Sequence, residues 1–160
     1  MKIRRIQQLY HLVEKQTRFP HEVRMMAAAV TATEMSFRSL PHRLAEYLYA
    51  TVLILLGRDA GHVSIGISQV SIRHYATLEN ASQLMALKLS LSAEHNLRIC
   101  CKFVQQVEGR SLISVARAYN GRSTFFYKKA LAENYSALQQ LEAISIATSK
   151  CQAPTVRNFR

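Results

Sequence analysis

The sequence has few cysteines, and none of them is placed to form a disulfide framework or a metal site. Cys100 and Cys101 are adjacent, so their side chains diverge on a predicted helix, and Cys151 lies near the C-terminus. The six histidines are scattered without the short-range spacing of a zinc site. We therefore expect buried thiols, no metal and no cofactor.

The sequence also lacks a long uninterrupted apolar run. Its most apolar stretch, from Leu44 to Leu56, contains Glu46 and is far shorter than the ~20 apolar residues that a membrane-spanning helix needs. We therefore predict a buried helix there, stopped by Gly57, and no transmembrane segment. The basic N-terminus lacks the apolar region of a recognisable signal peptide and instead predicts a first helix packed on the core.

Acidic residues are scarce as well. The chain carries 10 Asp and Glu against 21 Lys and Arg, which gives a net charge of +11. Such a positive field attracts polyanions, among them nucleic acid, anionic lipid and acidic envelope polymers. The basic residues are dispersed, however, and no basic stripe is interleaved with stacking aromatics. We therefore expect no specific nucleic-acid binding.

No internal repeat, low-complexity tract or interdomain linker divides the chain. We predict a single domain over residues 1–146 and a basic, flexible tail over residues 147–160. The apolar pattern predicts a small β-lobe of two or three strands around residues 62–73. It also predicts helices near residues 3–16, 21–35, 41–56, 72–89, 93–108, 111–119 and 124–146. The predicted fold class is therefore α+β and mainly helical.

In the helix predicted over residues 21–35, an acidic residue lies near the end of the apolar stripe. After His21, six residues fall at helical spacing on one side: Val23, Met26, Ala27, Val30, Glu34 and Phe37. A carboxyl at the end of such a stripe loses hydration, which raises its pKa, as a general acid near neutral pH requires. Glu34 is therefore a candidate catalytic acid. The alternative is a glutamate that turns into solvent where the helix frays.

The segment from residue 63 to residue 67 alternates apolar and small side chains, as in a strand with one apolar face. After Gln69 the apolar phase shifts, which predicts a bulge or a strand end at Ser68-Gln69. The small-residue face, which includes Gly66, can admit a ligand closely. The alternative is an ordinary β-hairpin with a glycine at its bend.

A further helical segment begins at Ser111, which can cap it, and places Val115 and Tyr119 on one face. Asn120-Gly121 then supplies residues that tolerate the left-handed turn of a helix end. Tyr119 is either a core aromatic or a phenol held, with the amide of Asn120, at the rim of a cleft.

In this order, Glu34, Gly66-Ile67-Ser68-Gln69 and Ala118-Tyr119-Asn120-Gly121 resemble the lytic transglycosylases of the lysozyme-like superfamily, including goose-type lysozyme-like catalytic domains. Residues 93–107 are similar to the family's central core helix. Residues 114–135 are similar to its helix ending in Ala-Tyr-Asn, short link and Tyr-containing final helix. The resemblance covers about residues 20–140 and implies a lysozyme-like catalytic domain with a small β-hairpin lobe.

The resemblance implies a site as well as a fold. Glu34 would be the catalytic acid, and Gly66, Ser68 and Gln69 would contact substrate from the opposite side of the sugar cleft. Tyr119 would hydrogen-bond near the catalytic carboxyl or the substrate's N-acetyl group, with Asn120 beside it. The implied substrate is the peptidoglycan glycan strand, cut at its MurNAc-GlcNAc β-1,4 bond to give 1,6-anhydromuramoyl products.

By the same resemblance the protein would act at the cell wall or in the periplasm, and a secretion or lysis apparatus would be a possible partner. Two other functions stay open. A muramidase would hydrolyse the same bond with Glu34 and either Asp59 or Glu46, because glycoside hydrolysis usually takes two carboxylates. A non-catalytic lysozyme-like protein would bind the cell envelope, and Met35 favours it because the family usually has serine directly after the glutamate.

Overall fold

A computed structural model describes residues 2–120 and 125–151, and about three quarters of these residues are helical. This part contains one small antiparallel sheet, made of β1 (Ser64–Ile65) and β2 (Val70–Ser71). It also contains eight helices: α1 (Lys2–Glu14), α2 (His21–Phe37), α3 (Leu40–Leu55), α4 (Ile72–Glu79), α5 (Gln83–Leu89), α6 (Ala93–Gln106), α7 (Leu112–Asn120) and α8 (Phe125–Cys151). The predicted α+β, mainly helical class is confirmed.

The prediction of one continuous helix over residues 72–89 is wrong. Residues 72–89 form two helices rather than one, because Asn80 adopts a left-handed conformation with φ 48° and ends α4. The Ser82 side chain then caps α5 by accepting a hydrogen bond of 3.2 Å from the backbone N–H of Met85. At the other end of the chain, α8 runs to Cys151 and so takes in the first part of the predicted tail. Residues 152–160 of that tail lie outside the described residues.

Helix α2 occupies the centre of the molecule. It packs against α1, α6 and α8, and every residue from 25 to 34 is buried. Alanines at positions 27–29 and 32 leave room for the neighbouring helices to approach from several sides. The predicted apolar stripe of α2 is therefore only part of a helix that is buried nearly all round.

The helices around α2 behave largely as the sequence indicates. Helix α1 packs on the core through Leu9, Tyr10 and Val13, which confirms its predicted position. Helix α6 carries Cys100 and Cys101 as free, buried thiols, as expected. The side chain of Cys151 lies outside the described residues.

Helix α3 contradicts the prediction of a buried helix. Ala50 is its only fully buried residue, while large apolar side chains point outward at Leu44, Leu48, Val52 and Leu55, with Leu55 78% exposed. The helix contacts α5 and β1 along its other side. Within the described ranges, no helix is both long enough and apolar enough to cross a bilayer.

The predicted β-lobe is a short two-stranded hairpin. Ser64 pairs with Ser71 and Ile65 with Val70, so the four residues from 66 to 69 form the turn that joins the strands. Ser68-Gln69 therefore lies between the two strands, which agrees with the predicted strand end and with the hairpin alternative, and not with a bulge. The turn faces the end of α2, which brings the two first sequence signals together.

Candidate active site

A cavity of about 360 Å³ opens between the end of α2, the hairpin and the start of α8. Its lining combines one carboxyl, two cationic or titratable nitrogen groups, two phenols and small polar groups. The lining residues are Glu34, Phe37, Arg38, His42, Ser64, Gln69, Tyr119 and Tyr127. Three of the residues singled out by sequence, Glu34, Gln69 and Tyr119, are thus brought to one cavity from three separate parts of the chain.

Glu34 lies in the last turns of α2 and is only 8% exposed. The Tyr127 hydroxyl donates a hydrogen bond of 2.8 Å to Glu34 Oε1, and Phe37 stacks on the Tyr127 ring at a centroid distance of 5.9 Å. Burial raises the pKa of Glu34, against the hydrogen bond from Tyr127 and the charge of Arg38, which lower it; the charge of Glu46 raises it further. Glu34 therefore keeps its proton to a higher pH than an ordinary glutamate.

Arg38 connects Glu34 to a second carboxylate. Its Nε lies 3.8 Å from Glu34 Oε2, and its Nη1 donates a hydrogen bond to Glu46 Oε1. His42 Nε2 lies 3.4 Å from the same Glu46 oxygen. The guanidinium of Arg38, the residue directly after α2, therefore stands between a carboxyl of α2 and a carboxylate of α3.

The hairpin turn is fixed to the body of the protein by Ser68, which is fully buried. The Ser68 N–H donates to Asn96 Oδ1 at 2.7 Å, its hydroxyl lies 2.7 Å from Thr31 Oγ1, and its carbonyl accepts a hydrogen bond from the Tyr119 hydroxyl. Its polar groups are thus bonded inside the protein, and a contact of Ser68 with substrate stays a prediction. Its role is to hold the turn against α2, α6 and α7.

Gly66 is likewise a structural residue. It is buried and has a φ of +79°, and a Cβ at this position would lie 1.8 Å from Asn96 Nδ2. A side chain would therefore collide with the amide that holds Ser68, and only glycine fits. The small-residue face at Gly66 thus receives the Asn96 side chain, and a contact of Gly66 with substrate stays a prediction.

Gln69 ends the turn with its side chain at the cavity. It is 5% exposed and adopts a φ of 53°, and its Nε2 donates to the Gly66 carbonyl at 3.0 Å. Its Oε1 is buried and accepts no hydrogen bond from any residue that the structure describes. A buried acceptor left in this state needs a donor, so Gln69 remains a candidate for binding a ligand N–H or O–H group.

Two tyrosines line the cavity, and they have different tasks. The hydroxyl of Tyr119 donates a hydrogen bond to the Ser68 carbonyl, so its phenol joins α7 to the hairpin. Tyr127, which the sequence analysis did not single out, makes the contact with Glu34. The resemblance to a Tyr-containing final helix was the available signal for it. The side chain of Asn120, the last residue of α7, lies outside the described residues.

Neither of the other two candidate carboxylates, Asp59 and Glu46, is among the residues described for the cavity lining, although Glu46 contacts the lining residues Arg38 and His42. Asp59 is an exposed residue whose carboxylate accepts hydrogen bonds from the Gly61 N–H at 2.7 Å and from Gln83 Nε2 at 2.6 Å. These bonds, and the adjacent Arg73, lower the pKa of Asp59. Among the residues described for the lining, Glu34 is consequently the single acid.

A smaller cavity of about 110 Å³ continues the site beyond Tyr119. It shares Ser64, Gln69 and Tyr119 with the main cavity and adds His74 and Phe103. The rings of Phe103 and Tyr119 meet edge to face at 5.1 Å. Together the two cavities form a cleft that is longer than the space around Glu34 alone.

A separate cavity of about 400 Å³ lies between the α1–α2 connection and the start of α6. It is slightly larger but contains none of the residues singled out by sequence. Its lining includes Lys15, Arg18 and Arg98, and Arg98 is already paired with Glu79 at 3.5 Å. The buried, protonatable carboxyl favours the cleft at Glu34 as the candidate active site.

No group of three or more His, Cys, Asp or Glu side chains suited to a metal ion occurs within residues 2–120 and 125–151. In comparisons with protein-family models, with curated proteins and with solved structures, nothing matches this chain.

Proposed function

We propose that the protein is a peptidoglycan lytic transglycosylase of the lysozyme-like type, with Glu34 as its single catalytic acid. The observation that carries this proposal is the buried Glu34 carboxyl at a polar cleft, with a raised pKa and a hydrogen bond from Tyr127. A general acid for glycosidic cleavage needs such a proton near neutral pH. The ordered resemblance of the three sequence signals supplies the substrate class.

The reaction can be written with one carboxyl. Glu34 donates its proton to the glycosidic oxygen, and the bond from that oxygen to C1 of the muramoyl sugar breaks. The substrate's N-acetyl group supports the cationic centre. The Glu34 carboxylate then takes the proton of the muramoyl 6-hydroxyl as its oxygen bonds to C1, so a 1,6-anhydro sugar forms, no water is consumed and Glu34 regains its proton.

The cleft offers suitable contacts for this substrate. Gln69 Oε1, a buried acceptor without a partner among the described residues, suits a hydroxyl or the N–H of an N-acetyl group. The second, smaller cavity beside Phe103 gives a linear polymer a continuation past the bond that is cut. The positive charge of the protein favours association with acidic envelope polymers.

The first test removes the acid. Glu34→Gln keeps the shape of the side chain but cannot release a proton, so activity against purified peptidoglycan should fall by at least ~10²-fold while the protein remains folded. Glu133→Gln is the matched control, because Glu133 is an exposed glutamate on α8, with 62% of its side chain accessible. Lysis retained by Glu34→Gln would refute Glu34 as the acid.

The second test identifies the nucleophile from the product. Digests should contain anhydromuropeptides, and a reaction in oxygen-18 water should leave the new termini unlabelled. Reducing ends that carry the heavy oxygen would instead establish a muramidase, and their loss in Asp59→Asn or Glu46→Gln would name its second carboxylate. Binding to peptidoglycan without cleavage by the wild type would favour the non-catalytic alternative.

A further inference from the structure

We propose that Glu46 is a positioning residue that engages Arg38 and thereby keeps Glu34 able to hold its proton as the acid of the reaction. Its catalytic relevance rests on the proposed function of Glu34. Three groups take part: the acid of α2, the guanidinium of Arg38 directly after that helix, and the carboxylate of α3. None of the sequence signals pointed to Arg38, although it stands one helical turn after Glu34.

The geometry favours Glu46 as the main partner of Arg38. Arg38 Nη1 is hydrogen-bonded to Glu46 Oε1, whereas the approach of Arg38 Nε to Glu34 Oε2 is a looser 3.8 Å. The Glu46 side chain is 17% exposed and that of Arg38 is 35% exposed. A partly buried pair of this kind is less screened by solvent than a surface ion pair, so its charges act on the adjacent acid.

The remaining contacts of Glu46 point the same way. His42 Nε2 lies 3.4 Å from Glu46 Oε1, and both His42 and Arg38 line the cleft. Glu46 Oε2 is buried and has no hydrogen-bond partner among the described residues. A carboxylate placed only for stability would be expected to satisfy both oxygens, whereas here Glu46 faces the two nitrogen groups that border the site.

The two charges act on Glu34 in opposite directions. Arg38 lowers the pKa of Glu34 and Glu46 raises it. Without Glu46, the guanidinium would be free to pair with Glu34 and hold it as a carboxylate, which cannot protonate a leaving group. Without Arg38, Glu34 would face a second carboxylate with no intervening cation and would hold its proton more strongly.

The other groups that face Glu34 are neutral near neutral pH or already assigned. Tyr127 on α8 donates its hydrogen bond, and Tyr119 on α7 and Cys100 on α6 are close enough to interact electrostatically with Glu34. Burial raises the pKa of both tyrosines, and that of Cys100 to about 12. Among the described residues, the charges that can be changed to retune Glu34 are consequently those of Arg38 and Glu46.

The direct test follows the Glu34 carboxyl by carbon-13 NMR during a pH titration, with its resonance assigned from its absence in Glu34→Gln. Glu46→Gln should lower the titration midpoint of Glu34, and Arg38→Gln should raise it. The double variant should return the midpoint towards that of the wild type, because both charges are then absent. The control Glu133→Gln sets the shift expected from a distant change. Shifts no larger than the control, or in the same direction in both single variants, would overturn the proposal.

Activity supplies a second readout. The alkaline limb of the pH–activity profile should move to lower pH in Glu46→Gln and to higher pH in Arg38→Gln. At neutral pH, Glu46→Gln should lose less activity than the ~10²-fold expected for Glu34→Gln. Because the NMR titration needs no turnover, the two proposals can fail separately. If the Glu34 midpoints shift as expected but no variant or wild type lyses peptidoglycan at any pH, the proposed enzymatic function is refuted and the charge coupling is supported. Lysis with unmoved midpoints would refute the coupling alone.

Discussion

Helices α2 and α3 follow one another in the chain and have similar lengths, yet they occupy opposite environments. Residues 25–34 of α2 are all buried, although they include Thr31, Thr33 and Glu34. In α3, which is richer in large apolar residues, Ala50 alone is fully buried. Hydrophobicity along a helix therefore does not by itself decide whether the helix lies in the core.

The neighbours of the two helices explain the difference. α2 is surrounded by α1, α6 and α8, while α3 has its contacts with α5 and β1 on one side. The alanines of α2 allow close approach by several helices, and its polar groups are bonded within the core. The leucines of α3 include an outward row that no described element covers.

The largest effect should come from truncating a leucine that packs in the core around α2. Leu131 of α8 is fully buried, so Leu131→Ala should cost about 2–5 kcal/mol of unfolding free energy through lost transfer energy and a cavity. The matched change Leu48→Ala on α3, where Leu48 is 69% exposed, should stay within about 0.5 kcal/mol. Chemical denaturation measures both. A concentration-dependent loss for Leu48→Ala would break the contrast, since it would mean that this face is covered in solution.

Enlarging a small side chain, the opposite change, should also affect α2 more than α3. Ala28 of α2 is fully buried, so Ala28→Leu should overpack the core and cost about 1–3 kcal/mol. Ala45 of α3 is exposed, and Ala45→Leu should be neutral within about 0.5 kcal/mol. Thermal unfolding provides the measurement, at roughly 2–4 °C per kcal/mol for a chain of this size. Equal shifts in the two variants would show that α2 is not packed closely from several sides.

A pair of threonines tests the polar side of the contrast. Both hydroxyls bond the carbonyl four residues earlier, Thr31 to Ala27 and Thr51 to Tyr47, but only Thr31 also meets the buried hydroxyl of Ser68. Thr31→Val should cost about 1–2 kcal/mol because Ser68 loses a partner. Thr51→Val should cost less than about 0.5 kcal/mol. Indistinguishable unfolding free energies would mean that the hairpin turn is not anchored on α2.

The smallest effect concerns the acid itself and depends on pH. The pKa of Glu34 in the folded protein is raised above its ordinary value of 4.5. Between the unfolded-state pKa and the raised folded-state pKa, the folded protein therefore binds more protons than the unfolded chain, and its stability falls as the pH rises through that window. Glu34→Gln removes this loss, so its melting temperature relative to wild type should increase from pH 4 towards neutrality. Calorimetry across that range, with Glu133→Gln as the control, measures it. A melting-temperature difference that does not change with pH would show that burial does not raise the pKa of Glu34.

Part of the site could be predicted because it depends on local patterns. The stripe that ends on Glu34 indicated its burial, and the alternation around residues 63–67 indicated a strand beside a glycine turn. The roles within the turn could not be predicted, because Gly66 and Ser68 are fixed by Asn96, some 30 positions away on α6. Tyr127 was missed for the same reason: the spacing of α8 does not reveal which of its side chains reaches α2.

The sequence by itself determined the helices, the hairpin and the position of the acid, since periodicity, caps and glycine turns act over a few residues. It correctly located most helix ends but joined α4 to α5, where Asn80 and Ser82 provided the local stop and start. Only the tertiary structure decided that α3 faces outward and that Arg38 connects Glu34 to Glu46. These outcomes depend on which faces other helices cover and on charges from separate helices meeting in space, and neither is encoded at a fixed spacing along the chain.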